Sequence, residues 1–203
     1  MKRIGVIVAI FCVTALSAAG CGSKEPAVDQ PVTPGGSPQP SGSTTASPSP
    51  SPSELIEFTV DGAGPYQLGE TLTALQSTPG LDDVTKSTEV CPGNTTARGQ
   101  GVWSEIRLSF RNDGELYMAV NRSPNIPTPS GAWLGTTLAQ LKTIYAGVRG
   151  QELRNGPATA FLVTTLSGRG ILFDLDQDKK VMAMVASDAD YLRNSYQGGT
   201  DFC

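Results

Sequence analysis

The sequence predicts an α+β domain of two tandem units, each a helix backed by antiparallel strands, arranged as two layers. The first observation is a repeat, because residues 65–75 and 131–141 share Leu-Gly-x-Thr-Leu and a further leucine. The second is that each copy is followed, at nearly constant spacing, by a strand, a turn and another strand, which favours duplication. The third is a change of composition near residue 54, beyond which about 150 residues have the length of one domain.

Residues 1–20 have the pattern of an export signal peptide. Lys2 and Arg3 give a positive start, residues 4–16 are apolar, and residues 17–20 are small, as at a cleavage site. The alternative is a retained transmembrane helix. It is disfavoured because the apolar run is shorter than the roughly 20 residues that span a bilayer.

Residues 18–21, Ala-Ala-Gly-Cys, resemble the lipobox of bacterial lipoproteins, in which the cysteine after the cleavage site is acylated. The resemblance implies that diacylated Cys21 anchors the mature chain in the lipid membrane, on the extracytoplasmic face of the cell membrane. Two acyl chains hold a protein stably, whereas one binds only marginally. Residues 21–54 are then the lipidated cysteine and a disordered linker, because they are rich in Pro, Ser and Thr and almost devoid of large apolar side chains.

The cysteine count predicts one disulfide. Cys12 leaves with the signal peptide and Cys21 is taken by lipid, so that Cys91 and Cys203 remain. Exported proteins occupy a disulfide-permissive compartment, and two cysteines can pair in only one way. We therefore expect a Cys91–Cys203 bridge. Two free thiols are the alternative, and a redox pair is disfavoured because no Cys-x-x-Cys is present.

The predicted domain covers residues 55–203, and its first unit is about residues 55–125. Alternating apolar residues predict a strand at 56–60, and Thr71 or Glu70 can start a short helix that ends near Pro79. Residues 82–100 are polar and predict a long loop. Asn112-Asp-Gly114 predicts the turn of a hairpin of residues 102–110 and 115–120. The expected core residues of this hairpin are Ile106, Leu108, Phe110, Leu116, Met118 and Val120.

The second unit is about residues 126–203. Thr137 and Gln140 have capping-box spacing, and a stripe of apolar residues predicts a helix ending at a Gly147 C-cap. Residues 160–166, 170–175 and 180–186 are predicted strands, and residues 191–203 a polar tail. Asp174-Leu-Asp176-Gln-Asp178 resembles the start of a calcium loop. However, Lys179 and Val185 stand where that loop needs Gly and Glu, so a hairpin turn with solvated charges is favoured.

Composition disfavours several functions. The chain has no histidine, which removes the usual general base and the histidine-based nucleophilic triads and zinc sites. We therefore expect no enzyme, no cofactor and no metal site. A carboxylate-based hydrolase would need convergence of two groups among Asp82, Asp83, Glu89 and Glu105. Nucleic acid is a poor partner, because the net charge is −4 and no basic cluster is present.

Two tryptophans are candidate contact residues, because aromatic residues are enriched at binding hot spots. Trp103 follows a Gly-Gln-Gly segment, and Trp133 lies beside Gly131 in the second copy of the repeat. If both indoles were exposed on one face, they would form a binding surface. Packing in the core or at an edge is the favoured alternative.

A resemblance follows from several motifs together. They are Asp61-Gly-Ala-Gly-Pro65, Leu68-Gly-x-Thr71, Cys91, Ile126-x-Thr128, Gly131, Leu134-Gly-x-Thr137, Tyr145-Ala-Gly147 and a C-terminal cysteine. Residues 55–203 thus resemble a group of uncharacterised actinobacterial secreted proteins and lipoproteins, in which the two cysteines are expected to pair. More distantly, the tandem unit is similar to beta-lactamase-inhibitor-like and outer-membrane-assembly lipoprotein folds, which bind proteins on a sheet face.

The leading hypothesis is accordingly a non-enzymatic surface lipoprotein that binds an envelope protein or a cell-wall component on an exposed sheet face bearing aromatic residues. The alternative is a small-molecule or solute-binding module, which requires an apolar pocket between the units. A carboxylate-based hydrolase is a third and weaker hypothesis.

Overall fold

An antiparallel sheet of eight strands organises the residues that the computed structural model describes, 55–87 and 92–199. Three two-residue strands precede it: β1 (Phe58–Thr59), β2 (Gly62–Ala63) and β3 (Tyr66–Gln67). The large sheet comprises β4 (Asp82–Lys86), β5 (Thr95–Arg98), β6 (Ile106–Phe110), β7 (Leu116–Asn121), β8 (Arg149–Asn155), β9 (Ala158–Thr164), β10 (Arg169–Leu175) and β11 (Val181–Asp188). The helices are α1 (Leu72–Ser77), α2 (Leu138–Ile144) and α3 (Ala189–Gly198).

The large sheet consists of two four-stranded meanders. Its order is β4-β5-β6-β7-β11-β10-β9-β8, so the meanders meet where β7 pairs with β11, with Val120 opposite Val185. We call described residues up to 125 the first half and those from 126 the second half. The last strands of the two meanders are therefore the central strands of the sheet.

The predicted α+β class is wrong. The protein is mostly β, with one continuous eight-stranded sheet and short helices, rather than two separate helix-plus-strand units. The helices α1 and α2 have only six and seven residues. Three strands that the sequence does not predict, β4, β5 and β8, extend the sheet at both ends.

The two copies of the Leu-Gly-x-Thr-Leu segment make corresponding backbone hydrogen bonds. The N–H of Gly69 donates to the carbonyl of Leu116, and the N–H of Gly135 donates to the carbonyl of Val181, each at 2.8 Å. Both glycines have positive φ angles, 96° and 90°, which favour glycine. The repeated motif therefore joins the entry of each helix to the last strand of its own meander.

The sheet has two differently covered faces. The inner face carries Ile106, Leu108 and Phe173, against which the α1 residue Leu75 and the α2 residue Leu141 are buried. The outer face carries a second apolar cluster, in which α3 covers strands of the second half. The outer cluster comprises Tyr117, Met118, Val120, Leu153, Ala160, Leu162, Leu172, Val185, Leu192 and Tyr196.

The helix α3 replaces the polar tail predicted for residues 191–203, of which 200–203 lie outside the described residues. Asp188 caps it by accepting a hydrogen bond from the N–H of Tyr191 at 2.8 Å. Leu192 and Tyr196, four residues apart, lie on its buried side. The segment is a helix because its apolar stripe has an apolar sheet face to cover.

The hairpin of β6 and β7 forms as predicted, but its core assignment is partly wrong. Met118 and Val120 are buried on the outer face, not beside Ile106. A register shift between Ser109 and Phe110 offsets the alternation of side chains along the two strands.

The capping prediction for α2 is right at the start of the helix and wrong at its end. Thr137 and Gln140 form the predicted capping box, whereas the C-cap is Tyr145 rather than Gly147. Residues 174–178 enter a hairpin turn between β10 and β11, as predicted. Asp174, however, is not a solvated charge, since it is half-buried and burial raises its pKa.

Candidate functional site

The two tryptophans predicted as contact residues are placed differently in the structure. Cys21, Cys91 and Cys203 lie outside the described residues, so the lipid anchor and the disulfide stay predictions. Trp103 is only 8% exposed, whereas Trp133 is 56% exposed. The two indoles therefore do not form one exposed surface.

Trp103 is instead a packing residue of the first half. It ends a short 3₁₀ turn, Gly101–Trp103, in the connection between β5 and β6. Its indole lies so close to Gly64 that a Cβ atom there would overlap the ring, and a Cβ at Gly99 would lie 2.8 Å from both Trp103 and Tyr66. Gly64 leaves room for the indole ring, and Gly99 leaves room for the Cβ and carbonyl oxygen of Trp103 and for the ring of Tyr66.

Tyr66 completes this filled position. Its ring is fully buried, and its hydroxyl donates to the carbonyl of Gly80 at 3.1 Å and accepts from the N–H of Gln100 at 2.7 Å. Burial raises the pKa of the Tyr66 hydroxyl, against the effect of the Gln100 hydrogen bond. The first half thus closes the end of its β5–β6 hairpin with two aromatic side chains.

The corresponding position of the second half is an open pocket. Gly99 bonds to Ile106 across the β5–β6 hairpin, and Val163 pairs with Ile171 across the β9–β10 hairpin. Trp103 packs over Gly99, whereas Val163 and Ile171 line a cavity of about 550 Å³. The β9–β10 turn contributes Thr165 and Leu166, the latter 90% exposed, so no aromatic ring from this turn enters the space.

The pocket is mainly apolar and lies between the halves. Its lining includes Thr59 and Val60 from the first half and, from the second half, Thr128, Pro129, Ser130, Tyr145, Gly147, Val148, Arg149, Val163, Thr164, Thr165, Leu166 and Ile171. Its volume is within the range of roughly 300–1,000 Å³ that is usual for ligand sites. Arg149 is the single charged residue of this lining, and its exposed side chain places a positive charge at the edge.

Tyr145 and Thr128 form the polar part of the wall. Their hydroxyls are 2.9 Å apart and buried, and the Tyr145 ring is 5.4 Å from that of Phe173. Burial raises the pKa of Tyr145, and hydrogen bonds with Thr128 and Ser130 oppose the rise. Tyr145 is therefore a neutral hydrogen-bonding group at neutral pH.

Trp133 borders a separate groove on the outside of α2. The groove is about 440 Å³ and is lined by Gly131, Trp133, Thr136, Ala139, Gln140, Thr143 and Ile144. The backbone N–H of Trp133 donates to Thr136 Oγ1 at 3.0 Å, which fixes the backbone and leaves the indole outside.

Among the candidate carboxylates, the three that the structure describes are not arranged as an acid–base pair in a cleft. Asp82 accepts a hydrogen bond from Gln100, and Asp83 forms an exposed ion pair with Arg98 on the edge of the sheet. Glu105 lines a different cleft, and Glu89 lies outside the described residues. Within residues 55–87 and 92–199, no group of three His, Cys, Asp or Glu side chains is placed to hold a metal ion.

Sequence reasoning missed the residues of the pocket. Except for Tyr145 and Arg149, they are Thr, Val, Ser, Pro, Gly, Leu and Ile residues whose type carries no chemical signal, and the fold brings them together from five separate segments. One signal was present: the first half has Trp103 between its two hairpin strands, whereas the shorter second connection, residues 165–168, has no aromatic residue.

Comparison with known proteins assigns no family. No family model matches the chain, and no curated protein matches it. The resemblance to actinobacterial lipoproteins with tandem Leu-Gly-x-Thr-Leu repeats therefore stays a prediction. Among the three helices of the described residues, none is long and apolar enough to cross a bilayer.

One solved structure is similar at a low level: the 1.5 Å crystal structure of an extracellular protein containing an SCP domain from Bacillus anthracis str. Ames. The identity is 9% and the TM-score 0.43, and the match covers 63% of this chain and 46% of the other. The chain thus spans about half the length of that protein. A similarity of this size supports no conclusion about function.

Proposed function

We propose that the chain is a lipid-anchored, extracytoplasmic binding protein without enzymatic activity, and that its ligand site is the apolar pocket between the halves. The observation that carries the proposal is the contrast between two corresponding positions of the sheet. The first is filled by Trp103, and the second is a cavity of about 550 Å³. A cavity that large exposes apolar surface, which a stable domain would bury unless a ligand uses it.

The chemistry of the lining specifies the class of ligand. Val60, Val163 and Ile171 suit an apolar body, while Tyr145 and Thr128 offer hydroxyls to one polar group. Arg149, at the edge, favours a neutral or acidic polar end over a cationic one. The ligand is therefore a small amphiphile with an apolar body and an uncharged or acidic head.

Binding of an envelope protein on a sheet face has less support. The outer face of the second half is covered by α3, and the inner face by α1 and α2. The outer positions of β5 and β6 that remain exposed carry Arg98 and Arg107 rather than aromatic residues. The alternative hypothesis, a small-molecule site between the units, fits these observations better.

The anchor and the location belong to the same proposal and rest on the lipobox-like residues around Cys21. They are tested by following Cys21→Ala in cells fed a labelled fatty acid. The unaltered chain should carry the label and sediment with membranes, and Cys21→Ala should lose both properties. An unlabelled wild-type chain would exclude the anchor but would leave the pocket open to test.

The pocket is tested with the mature chain carrying Cys21→Ser, so that no acyl anchor interferes. A neutral fluorescent apolar probe, N-phenylnaphthylamine, should bind saturably. Dodecanoate should displace it more strongly than dodecylamine does, because of Arg149. If the probe does not bind, or if the amine displaces it better, this ligand class is wrong.

Matched variants locate the site. Val148 lines the pocket and Val102 does not, and their exposed fractions are similar, 52% and 59%. Val148→Asp should weaken probe binding about tenfold or more, since it places a charge at an apolar site. Val102→Asp should leave binding unchanged. Equal losses in both variants would contradict the assignment.

A second candidate function, contact with an envelope protein through Trp133, is favoured by the exposure of that indole beside the groove on α2. A photo-crosslinking residue at position 133 should give one covalent adduct in native cells. The same residue at Gln197, exposed on α3, is the control. Identical adducts from both positions would remove the support for this surface.

A further inference from the structure

The outer face of the first half carries two arginines in direct opposition. Arg98 on β5 pairs with Arg107 on β6 in the antiparallel register, and both side chains are exposed. Directly opposite residues of such a pair have Cβ atoms roughly 4.5–5.5 Å apart, and like charges at these positions are destabilising. The sequence therefore keeps an unfavourable pair where most residue types would fit.

A third arginine joins them in a small cleft. Arg122 follows Asn121, which pairs with Ile106, so Arg122 lies two residues beyond Val120, the partner of Arg107. The cleft is about 170 Å³ and is lined by Arg98, Ser104, Glu105, Arg107, Val120 and Arg122. Its volume suits one compact group, and its lining offers guanidinium and hydroxyl donors from separate strands.

Nearby carboxylates neutralise the positive charges of the three arginines to different extents. Asp83 contacts Arg98 at 3.5 Å, with both side chains largely exposed. Asp174 lies near Arg122, and burial raises its pKa although the charge of Arg122 opposes the rise. Glu105 shares the cleft. Within the described residues, neither Arg107 nor Arg122 takes part in a salt bridge, so the centre of the cleft has guanidinium donors available for an anion.

We propose that this cleft binds a phosphate group, held between the guanidinium groups of Arg98, Arg107 and Arg122. A tetrahedral oxyanion offers acceptor oxygens in several directions, which matches donors from β5, β6 and the residue after β7, and the planar guanidinium binds phosphate in a bidentate manner. Its negative charge also relieves the repulsion between Arg98 and Arg107. The site is separate from the apolar pocket and does not depend on it.

The test is a titration of the Cys21→Ser mature chain with inorganic phosphate at constant ionic strength, followed by amide chemical shifts. Saturable shifts should be confined to the residues around Ser104, Arg107 and Arg122. Arg107→Gln should weaken binding about tenfold, as expected for loss of a charged hydrogen bond. Arg154→Gln is the control, because it removes the same charge from β8, at the opposite end of the sheet.

A second arm distinguishes a free phosphate ester from a lipid headgroup. Vesicles of phosphatidylglycerol and of phosphatidylcholine are sedimented with the same proteins. Retention on phosphatidylglycerol that Arg107→Gln abolishes assigns the site to a headgroup, whereas saturable phosphate binding without vesicle retention assigns it to a soluble phosphate. The proposal is overturned if neither probe binds saturably, or if Arg107→Gln and Arg154→Gln weaken binding equally. Circular dichroism of the variants, together with Arg122→Gln as a second variant, separates lost binding from lost folding.

Discussion

The two halves of the sheet use the same backbone arrangement for different surfaces. On the inner face, the first half fills the end of its β5–β6 hairpin with Trp103 and Tyr66, whereas the second half leaves a cavity beside Val163. The backbone hydrogen bonds that join each helix entry to its meander are nevertheless the same, as at Gly69 and Gly135. Surface properties here depend on a few side chains and connections, not on strand order.

On the outer face, the second half is packed and the first half is exposed. In the second half its strands carry Leu162, Leu172 and Val185, which need a cover, and α3 provides it. In the first half the same row of the sheet continues through Val120 to Arg107 and Arg98, which need water or an anion. In the first half, the inner face is packed and the outer face is available to a ligand. In the second half, the outer face is packed and the inner face has the open pocket.

The largest expected effect on stability comes from removing the Trp103 side chain that fills the first half. Trp103→Ala should lower the free energy of unfolding by about 3–5 kcal/mol, because removing the indole leaves a large cavity beside Gly64. Urea unfolding followed by circular dichroism measures the change. The control is Trp133→Ala, whose exposed side chain should matter by less than about 0.5 kcal/mol. Equal costs would mean that Trp103 does not fill the first half.

The cover of the second half is tested next. Leu192 on α3 is fully buried against the outer face, so Leu192→Ala should cost about 2–5 kcal/mol. Hydrogen exchange should accelerate more in β8–β10, where α3 packs, than in β5 and β6. Uniform acceleration across both halves would contradict the view that α3 serves one half. Gln197→Ala, on the exposed side of the same helix, is the control.

Sequence reasoning succeeded where local chemistry decides the structure. The turn at Asn112-Asp-Gly114, the cap at Thr71, which was one of two predicted helix starts, and the capping box of Thr137 and Gln140 each depend on residues within a few positions of one another. Apolar alternation also located β6, where Ile106 and Leu108 face the core.

Sequence reasoning failed where residues distant in the sequence decide the structure. The edge strands β4 and β8 are polar along nearly their whole length, with Leu153 the one buried residue of β8, so they show no alternation. They are strands because a neighbouring strand pairs with their backbone. For α3 a signal existed, since Asp188 precedes an apolar pair at helical spacing, Leu192 and Tyr196. It was outweighed by the polar residues between them.

A smaller effect separates the entries of the two helices. Thr137 belongs to a reciprocal capping box, and its hydroxyl both accepts from the Gln140 N–H at 3.3 Å and donates to Gln140 Oε1 at 2.9 Å, whereas the described bond of the Thr71 hydroxyl is the one it accepts from the Ala74 N–H at 3.2 Å. Both substitutions to Ala should fall within about 0.5–2 kcal/mol, with Thr137→Ala the more costly. Thermal unfolding of the two variants checks the order. The reverse order would show that the bond from the Thr137 hydroxyl to Gln140 Oε1 contributes nothing.

The smallest effect has the opposite sign. Arg107→Gln should raise the free energy of unfolding by about 0.2–1 kcal/mol in phosphate-free buffer, because it removes a like-charge neighbour of Arg98. Arg154→Gln should be neutral or slightly destabilising, since it breaks the exposed Arg154–Glu152 ion pair. Added salt should reduce the first effect by screening. If Arg107→Gln destabilises the protein instead, the arginine pair is packed favourably on the sheet, and its retention needs no anion to explain it.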